Sequence, residues 1–382
     1  MEIEYKDLAK KDKDNLAVID IRDETSFAYG HVPGAINIPK TDIEEKAESF
    51  AKDGEYVIYC RTGETSAEVV ETLREKGLNA YNLKGGYLGW LRDHMAENLY
   101  DTRADEVENS IRKKFHKVLF SKFCKAINEY DLIQPHDKIA VCISGGKDSM
   151  LMAKLFQELK RHNKFEFELV FLVMDPGYSP ENREIIEKNA QSLHVPITVF
   201  ETDIFENVFN IEKYPCYICA RMRRGNLYSK AKELGCNKIA LGHHYDDVIE
   251  TILMGMLYGA QIQTMMPKLH STNFEGMELI RPMYLIREKD IKHWRDYNDL
   301  HFIQCACKFT DTCSGDSCTL SNTGSKRKKV KELIAKLKDE DPQIEWNIFS
   351  CVENVNLATV IGYKDENNVR HNFLDDYDKK MD

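Results

Sequence analysis

Lys138-Ile139-Ala140-Val141-Cys142-Ile143, followed by Ser144-Gly145-Gly146-Lys147-Asp148-Ser149-Met150, is the stretch that decides the fold. The first six residues read as a short buried strand, an apolar run that ends at turn residues. The residues after them open a helix read over Ser149–Leu159. Two glycines between strand and helix let backbone N–H groups approach a phosphate closely. The helix N-terminus adds positive potential. Lys147 suits a phosphate partner, and Asp148 suits Mg²⁺. The spacing is not that of a Walker loop, whose glycines stand further apart before its lysine. The alternative reading is a glycine-rich turn without a ligand.

Outward from this loop, strand and helix patterns alternate. Leu169–Met174 reads as a strand, Pro180–Leu193 as a helix, Ile197–Phe200 and Lys238–Leu241 as strands, and Asp246–Tyr258 as a helix. Alternation of this kind predicts a doubly wound α/β sheet with ligands at the carboxyl ends of its strands. The hexapeptide Ser144–Ser149 resembles the PP-loop of ATP pyrophosphatases, which implies adenylation of a carbonyl oxygen with release of pyrophosphate. A second cluster, Gly242-His243-His244-Tyr245-Asp246-Asp247, follows a later strand. Adjacent carboxylates at a helix start repel unless a cation or hydrogen bonds offset them. Mg-ATP in the crevice would do so. The plainer reading is an N-cap Asp beside a solvated one.

The chain has 382 residues, 42% of them hydrophobic, and a net charge of −10. It is long enough for two or three domains and rich enough in apolar residues to fold. It has no apolar run of transmembrane length and no leader-like segment at its charged N-terminus, so a cytoplasmic protein with no membrane partner is expected. The acidic balance does not advertise a nucleic-acid binder. The charge is uneven, however. Lys326-Arg327-Lys328-Lys329, with Lys331, Lys336 and Lys338, forms a basic helix pattern. Its Val330, Leu333, Ile334 and Leu337 face would pack inward, and its cations would meet phosphates or only water. Arg221, Arg223 and Arg224 make a second candidate patch for RNA.

A smaller α/β pattern precedes these elements. Residues 16–21 and 56–60 read as strands and Glu64–Lys76 as a helix, so Cys60-Arg61-Thr62-Gly63-Glu64-Thr65-Ser66 is a turn between strand and helix. Backbone N–H groups, the helix dipole and Arg61 all favour a thiolate there. A small core cysteine ending a strand is the alternative. Together with Asp20-Ile21-Arg22, Gly30–Pro39, Leu83-Lys84-Gly85-Gly86 and Trp90, this loop resembles the rhodanese family over about residues 1–98. The resemblance implies sulfur transfer through a persulfide on Cys60. Thr65 stands where active rhodanese loops often have a second arginine.

Of 11 cysteines, several cluster. Without a secretory signal they point to metal or sulfur chemistry rather than disulfides. Cys216 and Cys219 form a C-x-x-C one turn apart, which suits a zinc half-site, a redox pair or part of an Fe–S site. Gln304-Cys305-Ala306-Cys307 offers a third thiolate. The PP-loop, Cys216/Cys219, Gly242–Thr251, Met266-Pro267-Lys268-Leu269, Ile280-Arg281-Pro282 and Arg287–Ile291, in that order, resemble the tRNA 2-thiocytidine synthetase (TtcA) family over roughly residues 112–360. That resemblance implies ATP, Mg²⁺, tRNA and a [4Fe-4S] cluster on Cys216, Cys219 and Cys305, with Cys307 as the alternative to Cys305. Cys313 and Cys318 are additional, either plain thiols or a small zinc or redox site.

The expected organisation is a rhodanese-like domain (1–98), a helical linker (99–130), a doubly wound PP-loop domain (131–363) and an acidic tail (364–382). Lys147, Asp148, Cys60 and Arg61 are the expected catalytic residues. Ser144, Gly145, Gly146, Lys147, Asp148, Ser149, Gly242, His243, Asp246 and Asp247 are expected to bind nucleotide. Sulfane sulfur from thiosulfate or a cysteine desulfurase persulfide is expected to reach Cys60 and then a tRNA cytidine, through an open iron of the cluster. A homodimer is expected. The competing readings are a thiolase for another base or a small molecule, and a non-catalytic ATP or sulfur sensor.

Overall fold

The computed structural model describes residues 1–8, 15–97, 102–162, 165–205, 215–303 and 321–377. Two sheets carry the sites. The first contains Glu2–Ile3 (β1), Leu16–Asp20 (β2), Ile36–Asn37 (β3), Glu55–Tyr59 (β4) and Asn79–Leu83 (β5), all parallel, in the order β1-β5-β4-β2-β3. The second contains Lys138–Ile143 (β6), Glu168–Asp175 (β7), Ile197–Glu201 (β8), Lys238–Ala240 (β9), Lys268–His270 (β10) and Glu278–Ile280 (β11). Its order is β10-β11-β9-β6-β7-β8, parallel except for the β10–β11 pair. The chain therefore leaves β6 toward β7 on one side and returns as β9 on the other. The crevice at this reversal is where doubly wound sheets bind ligands.

β6 reads as an unbroken apolar run because helices cover both of its faces. Ile139, Ala140 and Val141 are fully buried. The helix after it, Lys147–His162, buries Met150, Leu151, Met152, Ala153, Leu155 and Phe156 against the sheet. It starts two residues earlier than the sequence reading placed it, within the glycine turn itself. Its buried Lys154 ammonium is held by Glu108 at 2.8 Å and the Leu193 carbonyl at 2.8 Å. Glu108 lies on Thr102–Arg112, the helix of the expected linker. Arg112 on the same helix meets Glu158 at 2.8 Å. The linker helix is thus fixed to the helix that begins at the phosphate loop.

The chain divides into two compact units, Met1–Tyr245 with Pro267–Ser321, and Asp246–Met266 with Asn322–Asp382. Both sheets belong to the first unit, and one apolar core runs through both. Trp90, on the helix Gly86–Glu97, is its bridge. It packs against Tyr87 at 5.5 Å and edge-on to His301 at 5.0 Å. The second unit carries the helices Ser321–Glu340 and Ile344–Ser350 and the hairpin of Gly362–Lys364 (β12) with Arg370–Asn372 (β13). This hairpin extends into the start of residues 364–382, the stretch expected from sequence to be an acidic tail. Its chemistry is polar, so no apolar run announced it. No helix among the described residues is long and apolar enough to cross a membrane.

At the end of β7, Asp175 accepts hydrogen bonds from the N–H groups of Gly177 (2.9 Å) and Tyr178 (2.7 Å) and from Arg183 (2.7 Å). Burial opposes ionisation of this carboxyl, but those donors outweigh it and hold Asp175 below its ordinary pKa. A lowered carboxylate stabilises the fold above its unfolded pKa of about 3.9 and loses that contribution as pH falls through the folded value. The stability gap between wild type and Asp175→Asn, from urea unfolding, should therefore be constant above about pH 5 and shrink on acidification below about pH 4.

Candidate active site

The phosphate loop is built by its own hydrogen bonds. The Ser144 N–H donates to Ser149 Oγ at 3.1 Å, and that hydroxyl donates to the Gly146 carbonyl at 3.0 Å. The turn closes on itself and directs the start of the helix into the crevice. Gly145 has φ +82°, and a Cβ there would lie 2.6 Å from Ile186 and 2.9 Å from Ile303. Only glycine fits both the backbone and the space. Such a cradle, open to an anion at a helix start, suits the phosphates of ATP. Lys147 is nearly buried, and its ammonium lies 3.0 Å from Asp148 and 3.5 Å from Glu288. The lysine is thus poised between two carboxylates at the mouth of the loop. Glu288 was not picked out as a site residue from sequence. It opens the helix Glu288–Tyr297, whose apolar pattern is too sparse to signal a site.

Gly242, His243 and His244 follow β9 directly. A Cβ on Gly242 would sit 3.4 Å from the backbone of Asp148 and Ser149, so the two loops touch. His244 Nε2 lies 3.9 Å from Asp148 Oδ1. Asp246 and Asp247 begin the second compact unit, in the first turn of the helix Tyr245–Gly259. Within that unit Arg327 reaches Glu250 at 2.7 Å and Asp247 at 3.5 Å. Burial pushes the Glu250 carboxyl up, and Arg327 opposes that shift. The basic helix is therefore only partly available to phosphates. Arg327 faces carboxylates, Lys326 lies 5.1 Å over the Tyr258 ring, and Lys338 pairs with Glu345 at 2.9 Å. Lys328 and Lys329 remain exposed; of the four apolar positions expected to pack inward, Val330 and Ile334 are buried, whereas Leu337 is half-buried and Leu333 is exposed.

The sulfur site lies at the end of β4. Cys60 Sγ receives the N–H of Gly63 at 3.1 Å and that of Ser66 at 3.4 Å, with the Ser66 hydroxyl at 3.3 Å. Converging donors of this kind form a nest for an anion. The nest is held from behind by Asn82, which donates to the Gly63 carbonyl at 2.9 Å and accepts from Ser66 Oγ at 2.7 Å. Ser66 closes the quoted cysteine turn but was given no role from sequence, and Asn82 was not singled out because the short strand β5 (NAYNL) carries no motif. Arg61 takes part in the turn through its carbonyl, which accepts the Leu88 N–H at 3.0 Å.

Cys216 and Cys219 lie in the first turns of the helix Pro215–Glu233. Cys219 is buried with Met174, Ile204 and Phe205 beside the end of β7, a dry setting that suits a thiolate-held metal centre. The Cys216 side chain, together with Cys305, Cys307, Cys313 and Cys318, lies outside the described residues. Among the described residues no group of three His, Cys, Asp or Glu is arranged to hold a metal.

Comparison with known proteins agrees with both halves. Residues 4–93 match the rhodanese-like domain family, and residues 111–308 match the PP-loop domain family. A tRNA-cytidine(32) 2-sulfurtransferase of Neisseria meningitidis is 35% identical over 256 residues, 65% of this chain and 75% of that protein. The Anaeromyxobacter protein of the same name is 34% identical over 245 residues, 63% and 77% of the two chains. The U34-tRNA thiolase NcsA from Methanococcus maripaludis, solved with its [4Fe-4S] cluster, aligns over 62% of this chain and 79% of its own, at a TM-score of 0.47 and 20% identity.

Gly86, at φ +59°, closes the sulfur loop from the opposite side. A Cβ on it would lie 2.6 Å from the Cys60 carbonyl and 2.7 Å from Gly63 N, one of the donors to Sγ. Gly86→Ala therefore has to open the nest, at about 1–3 kcal/mol of backbone strain. Persulfide formation from thiosulfate, read by mass spectrometry of Cys60, should slow by about tenfold or more.

Proposed function

The chain belongs to the PP-loop tRNA-cytidine(32) 2-sulfurtransferase family, with a rhodanese-like domain at its N-terminus, and on that premise we propose that it is an ATP-dependent enzyme that replaces the C2 oxygen of a tRNA cytidine with sulfur. The observation that carries this reading is the intact phosphate loop at the sheet's reversal point, with Lys147 poised between Asp148 and Glu288.

In this scheme Ser144–Ser149 hold the phosphates of ATP, and Lys147 exchanges its carboxylate contacts for phosphate oxygens. Asp148 is assigned to Mg²⁺ and nucleotide. The cytidine C2 oxygen attacks the α-phosphorus, and pyrophosphate leaves. Negative charge grows on the phosphates in that step, and preorganised N–H groups and Lys147 stabilise it there. Hydrosulfide then attacks C2, and AMP departs with the former carbonyl oxygen. The base has to be turned out of its stack to enter the crevice.

Cys60 is assigned the sulfur supply. Its thiolate attacks the outer sulfur of thiosulfate, releasing sulfite, or that of a desulfurase persulfide, releasing the donor thiol. The nest of Gly63 and Ser66 donors then holds the persulfide anion. Release of the outer sulfur as hydrosulfide takes two electrons from a thiol reductant, and Cys60 returns to the thiol. Cys216, Cys219 and Cys305 are assigned as the thiolates that would hold a [4Fe-4S] cluster, which would supply a Lewis-acidic iron for sulfide.

The test is anaerobic incubation with unmodified tRNA, Mg-ATP, thiosulfate and a thiol reductant, followed by nucleoside mass spectrometry. 2-Thiocytidine should appear. Lys147→Ala should lower its rate about a hundredfold or more, the scale for loss of one preorganised charge partner. Cys216→Ala should lose both product and protein-bound iron. Thiolation of uridine alone, or ATP-independent product, would refute the reading.

A further inference from the structure

The phosphate loop does not face the crevice alone. Tyr29, the last residue of the rhodanese helix Glu24–Tyr29, reaches into it. The Lys147 N–H, at the first turn of the loop helix, donates to the Tyr29 hydroxyl at 3.3 Å. That hydroxyl donates onward to the Ile303 carbonyl at 3.1 Å. The Lys147 ammonium lies 5.6 Å from the Tyr29 ring centre, and a Cβ on Gly146 would touch the phenol oxygen at 3.5 Å. Arg295 donates to the Tyr29 carbonyl. A residue of the sulfur-carrying domain thus occupies a backbone donor of the ATP cradle. Burial also pushes the phenol pKa up, so the hydroxyl keeps its proton and stays a neutral occupant.

We propose that Tyr29 is a gate on the ATP site: its hydroxyl takes the Lys147 N–H when the site is empty, and an ATP phosphate displaces it. This inference rests on the assignment of Ser144–Ser149 to ATP. One N–H at a helix start serves a phosphate oxygen far better than a neutral phenol, so the exchange favours nucleotide. The phenol holds the donor's place until then. Through its bond to the Ile303 carbonyl it also ties the loop to a residue two positions before Cys305 in the sequence.

The gate is wired to the sulfur site by contiguous contacts. The carbonyl of Gly30, the next residue, accepts from Arg22 at 2.7 Å. The Arg22 guanidinium lies 4.0 Å over the Tyr87 ring. The Tyr87 N–H donates to the Cys60 carbonyl at 2.9 Å. Displacement of Tyr29 pulls on the backbone that carries Gly30, so ATP occupancy is felt at the turn that holds Cys60. Binding linkage is reciprocal, and a change in that turn alters ATP affinity in the same measure.

ATP affinity of the full chain, measured by equilibrium dialysis for wild type, Tyr29→Phe and Tyr29→Ala, tests the gate. Circular dichroism verifies that each variant is folded. Loss of the competing hydrogen bond should tighten ATP binding about fivefold in Tyr29→Phe, the worth of one such bond, and at least as much in Tyr29→Ala. In the wild type, ATP should raise amide hydrogen exchange over residues 24–32, a readout that needs no variant. Equal affinity in all three proteins, or weaker binding in the variants, would overturn the gate, the latter making Tyr29 an ATP ligand instead. Absence of ATP binding in all three would refute the ATP assignment itself, and the gate with it.

Discussion

A helix that begins inside a glycine turn must leave its first N–H groups without partners of its own, and the turn at residues 144–149 directs those donors into the crevice beside β6. The rest of the first unit is arranged around that constraint. β6 is buried on both faces so that the turn cannot shift. Ile186 and Ile303 crowd Gly145 so closely that no side chain fits there. Asp148 and Glu288 flank the Lys147 ammonium, which would otherwise be buried without a counter-charge. The same solution recurs at Cys60. There a strand also ends in a turn whose N–H groups converge, and the occupant is a sulfur atom instead of a phosphate.

Two anion nests in one compact unit explain why the two domains belong to one chain. The nests sit on separate sheets, yet the helix Gly86–Glu97 starts against the sulfur loop, with the Tyr87 N–H on the Cys60 carbonyl, and places Trp90 in the core shared with the PP-loop domain. The linker helix Thr102–Arg112 is pinned by Glu108 and Arg112 to the helix that starts at Lys147. On the proposed reading, in which Cys60 carries the sulfur, such a tether suits group transfer better than free diffusion.

Much of this was legible in the residues. β6 matched its predicted span at both ends, because a central parallel strand is a continuous apolar run with sharp turn residues after it. Ser144–Ser149 and Cys60 were recognisable because anion binding demands particular small and charged residues in a fixed order. Tyr29, Glu288, Asn82 and Ser66 were not singled out. Tyr29, Glu288 and Asn82 act through contacts with residues distant in sequence, Ser66 through Cys60 only six residues away, and a tyrosine at a helix end or an asparagine in a short strand has no local signature. β1, β3, β10 and β11 are too short for periodicity to register. The basic helix was found, but its Arg327 is turned toward Glu250 and Asp247, a pairing that composition alone does not reveal.

The central claim is that sulfur loaded on Cys60 is the sulfur that enters tRNA. The most direct measurement loads the purified protein with thiosulfate labelled in its outer sulfur, removes the free label, and then adds ATP, a thiol reductant and unmodified tRNA for a single turnover. The account predicts that label leaves Cys60 and appears in 2-thiocytidine only when ATP is present. Label that stays on Cys60, or is released without entering tRNA, while unlabelled 2-thiocytidine forms from another source, would contradict it.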